Sequence, residues 1–479
     1  MSLTGGALTP RDATTAAELR DRFGFLQEIV TDMERRVPYA TALARTRAGL
    51  RLGLRDAEQS ADRLDPQEGI VLTASNGFQV EEASTDSTDA DAVRLLADAL
   101  VERALASRPD PGAPRLEIAA DGAASGDFAT PMREDPGAVP LADKIARFDD
   151  LRRRLRALDD RAVQATCTYS EHEVRQVFAG RSGLNTQQIR RTNMAVLIFV
   201  SDGSRQEYGY VARSGCGGME LLSVDDEDLQ EAATTAGELL GATSVAPGVY
   251  DVVTDPSTTG TIAHEAFGHG METDMILKER ARGGEFIGKR VGSDLVNIVD
   301  DPTLAGAYGC YFVDDEGRLS APTPIIRNGI LQGGLTDLYS ATRLGIERTA
   351  NGRRESVQRK AYARMSNTFF ERGSSTPEDL LASLEYGLLL CQTENGMEDP
   401  KGWGMQIWTH YAREYRDGNP TGRLFSPIAM TGYVPDVLSD VSMVANDFHM
   451  DAGSCGKGWK EIVPVGSGGP HLRTRCRLA

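Results

Sequence analysis

The 479-residue chain is short of cysteine, of histidine and of long apolar runs. Its six Cys, at 167, 216, 310, 391, 455 and 476, are too few and too scattered for a disulfide scaffold. That usage suits reduced thiols in a cytoplasmic chain. The longest apolar stretch, near Ala195–Val200, falls far short of the roughly 18–20 residues that span a membrane. The opening Met1-Ser2-Leu3-Thr4-Gly5-Gly6 has neither a basic nor an apolar segment, so no export signal is expected. Positive charge is also in deficit, with 52 Lys+Arg against 70 Asp+Glu and a formal charge of −18. Nucleic acids and anionic membrane surfaces both require clustered cations, so neither is an expected partner. The remaining composition, 40% apolar and 25% charged, is that of a soluble globular chain with roughly two to four compact units.

Periodicity supplies the outline. Thr14–Arg36 reads as one helix, with Leu19, Phe23, Leu26, Ile29, Val30 and Met33 at helical spacing. Alternation over Thr46–Leu54 predicts a strand, and Asn76-Gly77 between apolar runs predicts a hairpin. Asp89–Ala106 carries a stripe of Val93, Leu96, Leu100, Val101, Ala104 and Leu105. The proline-rich 107–140 reads as a linker, and Leu141–Asp159 as a charged helix with Arg152-Arg153-Arg154 on a solvated face. Strands follow over 165–218, then a helix at Asp226–Leu240. Beyond 246, glycines separate short β-rich runs, among them Val249–Val253, Tyr308–Val313, Ile325–Gln332 and Met405–Tyr411. The expected fold class is α+β: an α/β N-terminal region, then a predominantly antiparallel β domain, partly closed, that carries the chemistry. The expected divisions are 1–110, 111–245 and 246–479.

The scarce histidines are not scattered. Two of the six fall in His264-Glu265-Ala266-Phe267-Gly268-His269, an H-E-x-x-x-H motif preceded by a helix entry at Thr258–Ala263. Paired imidazoles with an intervening Glu are the zinc-hydrolase arrangement, in which the His bind metal and the Glu handles a water proton. The usual spacing is i, i+4. At about 100° per residue, i+5 sets the second ring roughly 140° away, which is poor for one ion. One extra residue in the turn, a π-bulge, restores a common side, and Gly268 could ease it. A widened turn is therefore predicted. A catalytic zinc needs a third protein ligand, and Glu272, Asp274, His410, His449 and Cys455 are all candidates on residue chemistry.

Several motifs in order carry a resemblance. They include His264–Gly270, Val313-Asp314-Asp315-Glu316-Gly317, Asn351-Gly352-Arg353-Arg354-Glu355-Ser356, Met365-Ser366-Asn367-Thr368, Ser442–Asp447 and Ser454-Cys455-Gly456-Lys457. With these, residues 258–479 resemble the C-terminal region of the TldD/PmbA family of zinc peptidases, at the level of the TldD-type subunit. The N-terminal half is similar more loosely, through Asp202-Gly203 and Gly215–Gly218. The resemblance implies Zn2+ on His264, His269 and Cys455, with Glu265 as catalytic base. Because all four positions are filled, it implies an active subunit and not the metal-less PmbA-type partner. It further implies short or unfolded peptide substrates held extended inside a two-subunit particle, a homodimer or a heterodimer with a PmbA-type subunit. Gly333 and Gly334 are candidates for close approach to a peptide backbone. Arg353 and Arg354 are candidates for a substrate carboxylate or for an internal salt bridge. The competing functions are a zinc amidase on an N-acyl substrate and a non-catalytic modulator of DNA gyrase.

Overall fold

Two long hairpins organise the N-terminal half. The computed structural model describes residues 10–56, 58–108, 115–118, 126–458 and 460–479. The reading of the first six residues, and that of the linker over 109–114 and 119–125, lie outside the described residues. The strand Gln59–Ser75 turns into Val80–Thr85 at the predicted hairpin, where the Asn76 side chain accepts from the amides of Phe78 and Gln79 at 2.9 and 3.0 Å. Gly77 takes φ +86° there, which favours a residue without Cβ. Tyr39–Leu54 pairs with Gln59–Ser75 on one side and with Ala162–Gly180 on the other. Gly183–Ser201 continues the sheet, and both Gln206–Cys216 and Asp127–Ala129 pair with it. One seven-stranded sheet thus draws strands from both sides of residue 110.

Side chains alternate across a sheet, so the two faces can be read from parity. Ala42, Ala44, Leu52 and Leu54 are buried on the face that carries the helices Phe25–Glu34, Ala90–Ala106, Leu141–Arg156 and Asp226–Leu239. Arg45 and Arg47 alternate with them and point at the C-terminal half.

Four expectations need correction here. The first helix is two, Pro10–Phe23 and Phe25–Glu34, broken at Gly24, a weak helix former. Leu105 is half exposed and not part of the Ala90–Ala106 stripe. The linker holds a strand, Asp127–Ala129, parallel to Thr186–Gln188. In Leu141–Arg156, Arg152 is buried and not solvated, because Asp149 at 2.9 Å and Asp56 meet its guanidinium. Burying a charge requires such partners, and the contact to Asp56 crosses 96 residues that local periodicity does not register.

The C-terminal half builds two large sheets, besides the short pair Gly352–Arg353 and Tyr362–Ala363, on one large core that includes Ile262, Phe267, Ile298, Leu390, Trp403 and Ile407. The first runs Ile330–Leu331, Thr323–Arg327, Ile298–Asp300, Asn367–Phe370, Val463–Gly469, His449–Cys455. In the second, Tyr386–Glu398, Gly248–Thr254, Leu472–Leu478, Ile428–Tyr433 and Gly404–Arg416 pair in turn, and the last returns to the first. Those five strands close a ring, and most pairings in both sheets are antiparallel. Tyr308–Val313 is not the expected strand. Side chains of the N-terminal sheet take over its backbone bonds: Gln187 holds both peptide groups of Val313, and Arg191 holds the carbonyls of Tyr308 and Cys310. Among the described residues, no helix is long and apolar enough to cross a membrane.

Candidate metal centre

Asp255 caps the helix Pro256–Ala263 by accepting from the Thr258 amide at 2.8 Å, with Pro256 in the first turn. Thr258, Thr259, Ile262 and Ala263 bury this helix between the two sheets, fixing the turn that follows. That turn, His264–Gly268, is π-helical, with the His269 amide bonded to the His264 carbonyl. The widened turn predicted from the i, i+5 spacing is present. Gly268 serves it by packing: a Cβ there would lie 2.1 Å from the Met365 sulfur, while its backbone angles are ordinary.

The wide turn brings both rings to one side, centroids 5.2 Å apart and nearly perpendicular. Cys455 ends the strand His449–Cys455 and meets them from across the fold, its Sγ 3.2 Å from His264 Nε2 and 3.1 Å from His269 Nε2. The three donor atoms lie within 4.8 Å of one another. Zinc–nitrogen and zinc–sulfur bonds of about 2.0 and 2.3 Å at a tetrahedral angle separate N and S by about 3.5 Å. The donor chemistry and spacing therefore fit one zinc ion and leave a fourth position open.

A second layer of charge surrounds the trio. His269 Nδ1 donates to Glu272 at 3.3 Å, which orients the ring and leaves Nε2 for Cys455. Burial opposes ionisation of Glu272, but Lys457 at 3.3 Å and Arg364 hold its carboxyl well below the usual range. Arg364 and Glu272 lie 2.9 Å apart through Nε and Oε1, an ion pair poorly aligned for a hydrogen bond. The same guanidinium donates to Cys455 Sγ at 2.8 Å. Burial opposes the thiolate as well, but His269 and His264 hold the thiol well below its ordinary value. Fully buried, Arg364 couples the thiolate to the carboxylate. Arg364→Met is expected to cost about 3–5 kcal/mol by leaving two buried anions short of a cation. An unchanged denaturation midpoint would show that the pairing carries no stability.

The other candidates for third ligand go elsewhere. Glu272 bonds the outer nitrogen of His269, and Asp274 pairs with Lys457 at 2.6 Å and Lys278 at 3.0 Å. His410 stacks on Tyr208 at 4.1 Å, and His449 pairs with Asp451 at 3.2 Å. Glu265 is not part of the three-donor group and, with Thr261, Asp451 and Ser454, lines an open cleft. Gly396 leaves it room, since a Cβ there would lie 2.9 Å from its Oε1. Gly334 packs on the carbonyl of Met271, 2.5 Å from an added Cβ, and Gly333 is uncrowded. Arg354 pairs with Glu82 at 2.9 Å, and Arg353 lines a separate cavity. Sequence reasoning missed two residues. Arg364 immediately precedes the motif starting at Met365 but has no local signature. Glu398 lies against Gly270 with both carboxyl oxygens unpartnered; burial, countered by His269 and reinforced by Glu265, pushes it up to about 9.

Two imidazoles and a thiol converge beside a carboxylate-lined cleft, a donor set that suits a metal-dependent enzyme. Residues 247–476 match the family model described as the PmbA/TldA metallopeptidase C-terminal domain. A metalloprotease of Methanothermobacter thermautotrophicus is 30% identical over 94% of this chain and 97% of its own length. A metalloprotease TldD homolog of Haemophilus influenzae is 31% identical over 69% of this chain and 70% of its own. Among solved structures, a protein of Bacteroides thetaiotaomicron described as a candidate modulator of DNA gyrase shares the fold, with a TM-score of 0.72 at 16% identity, over 95% of this chain and 98% of that one. The chain belongs to the PmbA/TldD family and is a metallopeptidase.

Proposed function

We propose that this metallopeptidase binds zinc through His264, His269 and Cys455 and uses Glu265 as the base that activates water against an extended peptide. The observation that carries this reading is the convergence of three donor atoms from two distant segments, with the motif carboxylate directed into the adjoining cleft. A bound zinc would supply a Lewis acid that makes water acidic and polarises a carbonyl. Glu265, next in sequence to one ligand, takes the proton at its carboxylate and returns it to the departing amine. Arg364 and Glu272 are positioning residues: one steadies the thiolate, the other the His269 ring.

Extended binding has support in the topology. His449–Cys455 is the outer strand of its sheet, pairing with Val463–Gly469, and His449–Ser454 line the cleft that holds Glu265. A peptide adding to that edge gains backbone hydrogen bonds and little sequence selectivity, which suits short or unfolded substrates. The working assembly in this reading is a dimer, with a second copy or with a PmbA-type subunit. Cleavage of an unfolded test protein is expected to stop on chelation and to return on adding zinc. Cleavage that persists in the metal-free protein would contradict the proposal.

A further inference from the structure

A second cavity, of about 190 Å³, lies between the arginine-bearing face of the N-terminal sheet and the C-terminal half. Arg45, Arg47, Arg191, Arg353 and Arg354 line it, within a chain whose net charge is −18. Like charges gathered in a partly desolvated space repel, so their partners decide what the cavity is for. Asp315 accepts from the Arg354 amide at 2.8 Å and faces Arg45 at 3.6 Å. Asp314 accepts from the amides of Arg318 and Gly352, at 2.7 and 3.0 Å, and Glu355 accepts from the Glu461 amide at 2.9 Å. Arg354 has Glu82.

Three guanidiniums have no carboxylate within ion-pair distance among the described residues, with Glu355 acting on Arg47 and Asp315 on Arg353 only from farther away. Arg191 donates to the Tyr308 and Cys310 carbonyls at 2.6 and 2.7 Å. Arg353 donates to the Met365 carbonyl and lies 4.9 Å over the Tyr311 ring. Arg47 lines the cavity and makes no side-chain hydrogen bond or ion pair among the described residues. Burial lowers Arg47, with Arg191 adding and Tyr308 and Glu355 opposing, and burial lowers Arg353 to about 10 against Tyr311 and Asp315. In the same wall His172 is held neutral, lowered to about 4 by burial and then by Arg47, with its buried Nδ1 unpartnered. Ser454, the residue before Cys455, lines both this cavity and the Glu265 cleft.

We infer that the cavity is a carboxylate pocket, in which Arg47, Arg191 and Arg353 hold a carboxylate of a peptide that runs from the Glu265 cleft past Ser454. Guanidinium forks match carboxylates in shape and charge, and an isolated basic cavity in an acidic protein concentrates anions. The inference rests on the peptidase reading and names a substrate feature for it. Two sources share this chemistry, the C-terminal carboxylate and an Asp or Glu side chain.

Calorimetric titration of full-length, zinc-supplied Glu265→Gln protein separates them. The probes are a five-residue alanine peptide as free acid, the same peptide as C-terminal amide, and the amide with a central Glu. The free acid is expected to bind about tenfold or more tightly than the plain amide. Arg47→Gln is expected to remove most of that preference, and Arg47→Lys to keep part of it. Binding of the Glu-bearing amide at the strength of the acid assigns the pocket to side-chain carboxylates; binding at the strength of the plain amide assigns it to the chain terminus. Equal binding of all three probes, or no binding of any, overturns the inference without recourse to a variant. An equal loss for every probe in a folded Arg47→Gln overturns it too. Cleavage of the probes by the Glu265→Gln protein would instead remove Glu265 as base, leaving the acid-over-amide preference to be read by itself.

Discussion

Glu265→Gln is expected to keep the wild-type metal content and to lower peptide cleavage by about 10²–10⁴-fold. Gln has nearly the shape of Glu but cannot take a proton, so the exchange removes one chemical property. Glu265 stands outside the group of three donor atoms and is buried at the floor of an open cleft. Its loss therefore leaves His264, His269 and Cys455 where they are. The carboxylate lies beside Gly396, where a side chain would crowd it, and the nearly isosteric amide fits the same space. On the proposed ligand set, the Cys455 thiolate would donate more negative charge to zinc than a neutral ligand, which would weaken the ion as a Lewis acid and leave more of the work to the base. Loss of metal together with activity would make Glu265 a structural residue. Retained activity would place the base elsewhere.

Cys455→Ala is expected to weaken metal binding by more than about a hundredfold and to remove cleavage with it. Even partners outside the ligand set typically cost 10–100-fold in affinity, and here the proposed ligand and its negative charge would both go. Two imidazoles on one turn would remain, facing an Arg364 guanidinium that has lost its sulfur acceptor at 2.8 Å. That local excess of positive charge repels a cation as well. Glu272 and Asp274 cannot readily substitute, since Lys457 and Arg364 or Lys278 already engage them. Elemental analysis after dialysis against a weak chelator reads the result. Full retention of metal in Cys455→Ala would mean that the third ligand is one of those carboxylates.

The legible part of the site was the part written within one turn of helix. The angle between His264 and His269, together with the expectation that both face one ion, is enough to predict a π-helical turn, because the local chain determines whether two rings share a side. Cys455 lies 186 residues beyond His269, and residue chemistry left it level with Glu272, Asp274, His410 and His449. Only the resemblance singled it out. Closeness in sequence makes Glu272 a ligand candidate; the fold instead gives it the outer nitrogen of His269, a role that spacing does not separate from ligation. Arg364 had no local sign at all, since its partners arrive from residues 272 and 455. The same blindness to distant pairing made Arg152 look solvated and made Tyr308–Val313 look like a strand. The alternating strands and the Asn76-Gly77 hairpin were readable because period and turn chemistry are local.

Zinc-edge X-ray absorption on the full-length protein reads the donor set that every step above depends on. The expected spectrum has one sulfur scatterer at about 2.3 Å and two imidazole nitrogens at about 2.0–2.1 Å, with one further light atom. It should lose the sulfur shell in Cys455→Ala. A site with no sulfur in the wild-type spectrum, or with the sulfur shell unchanged in Cys455→Ala, would contradict the assignment of His264, His269 and Cys455 as the metal centre.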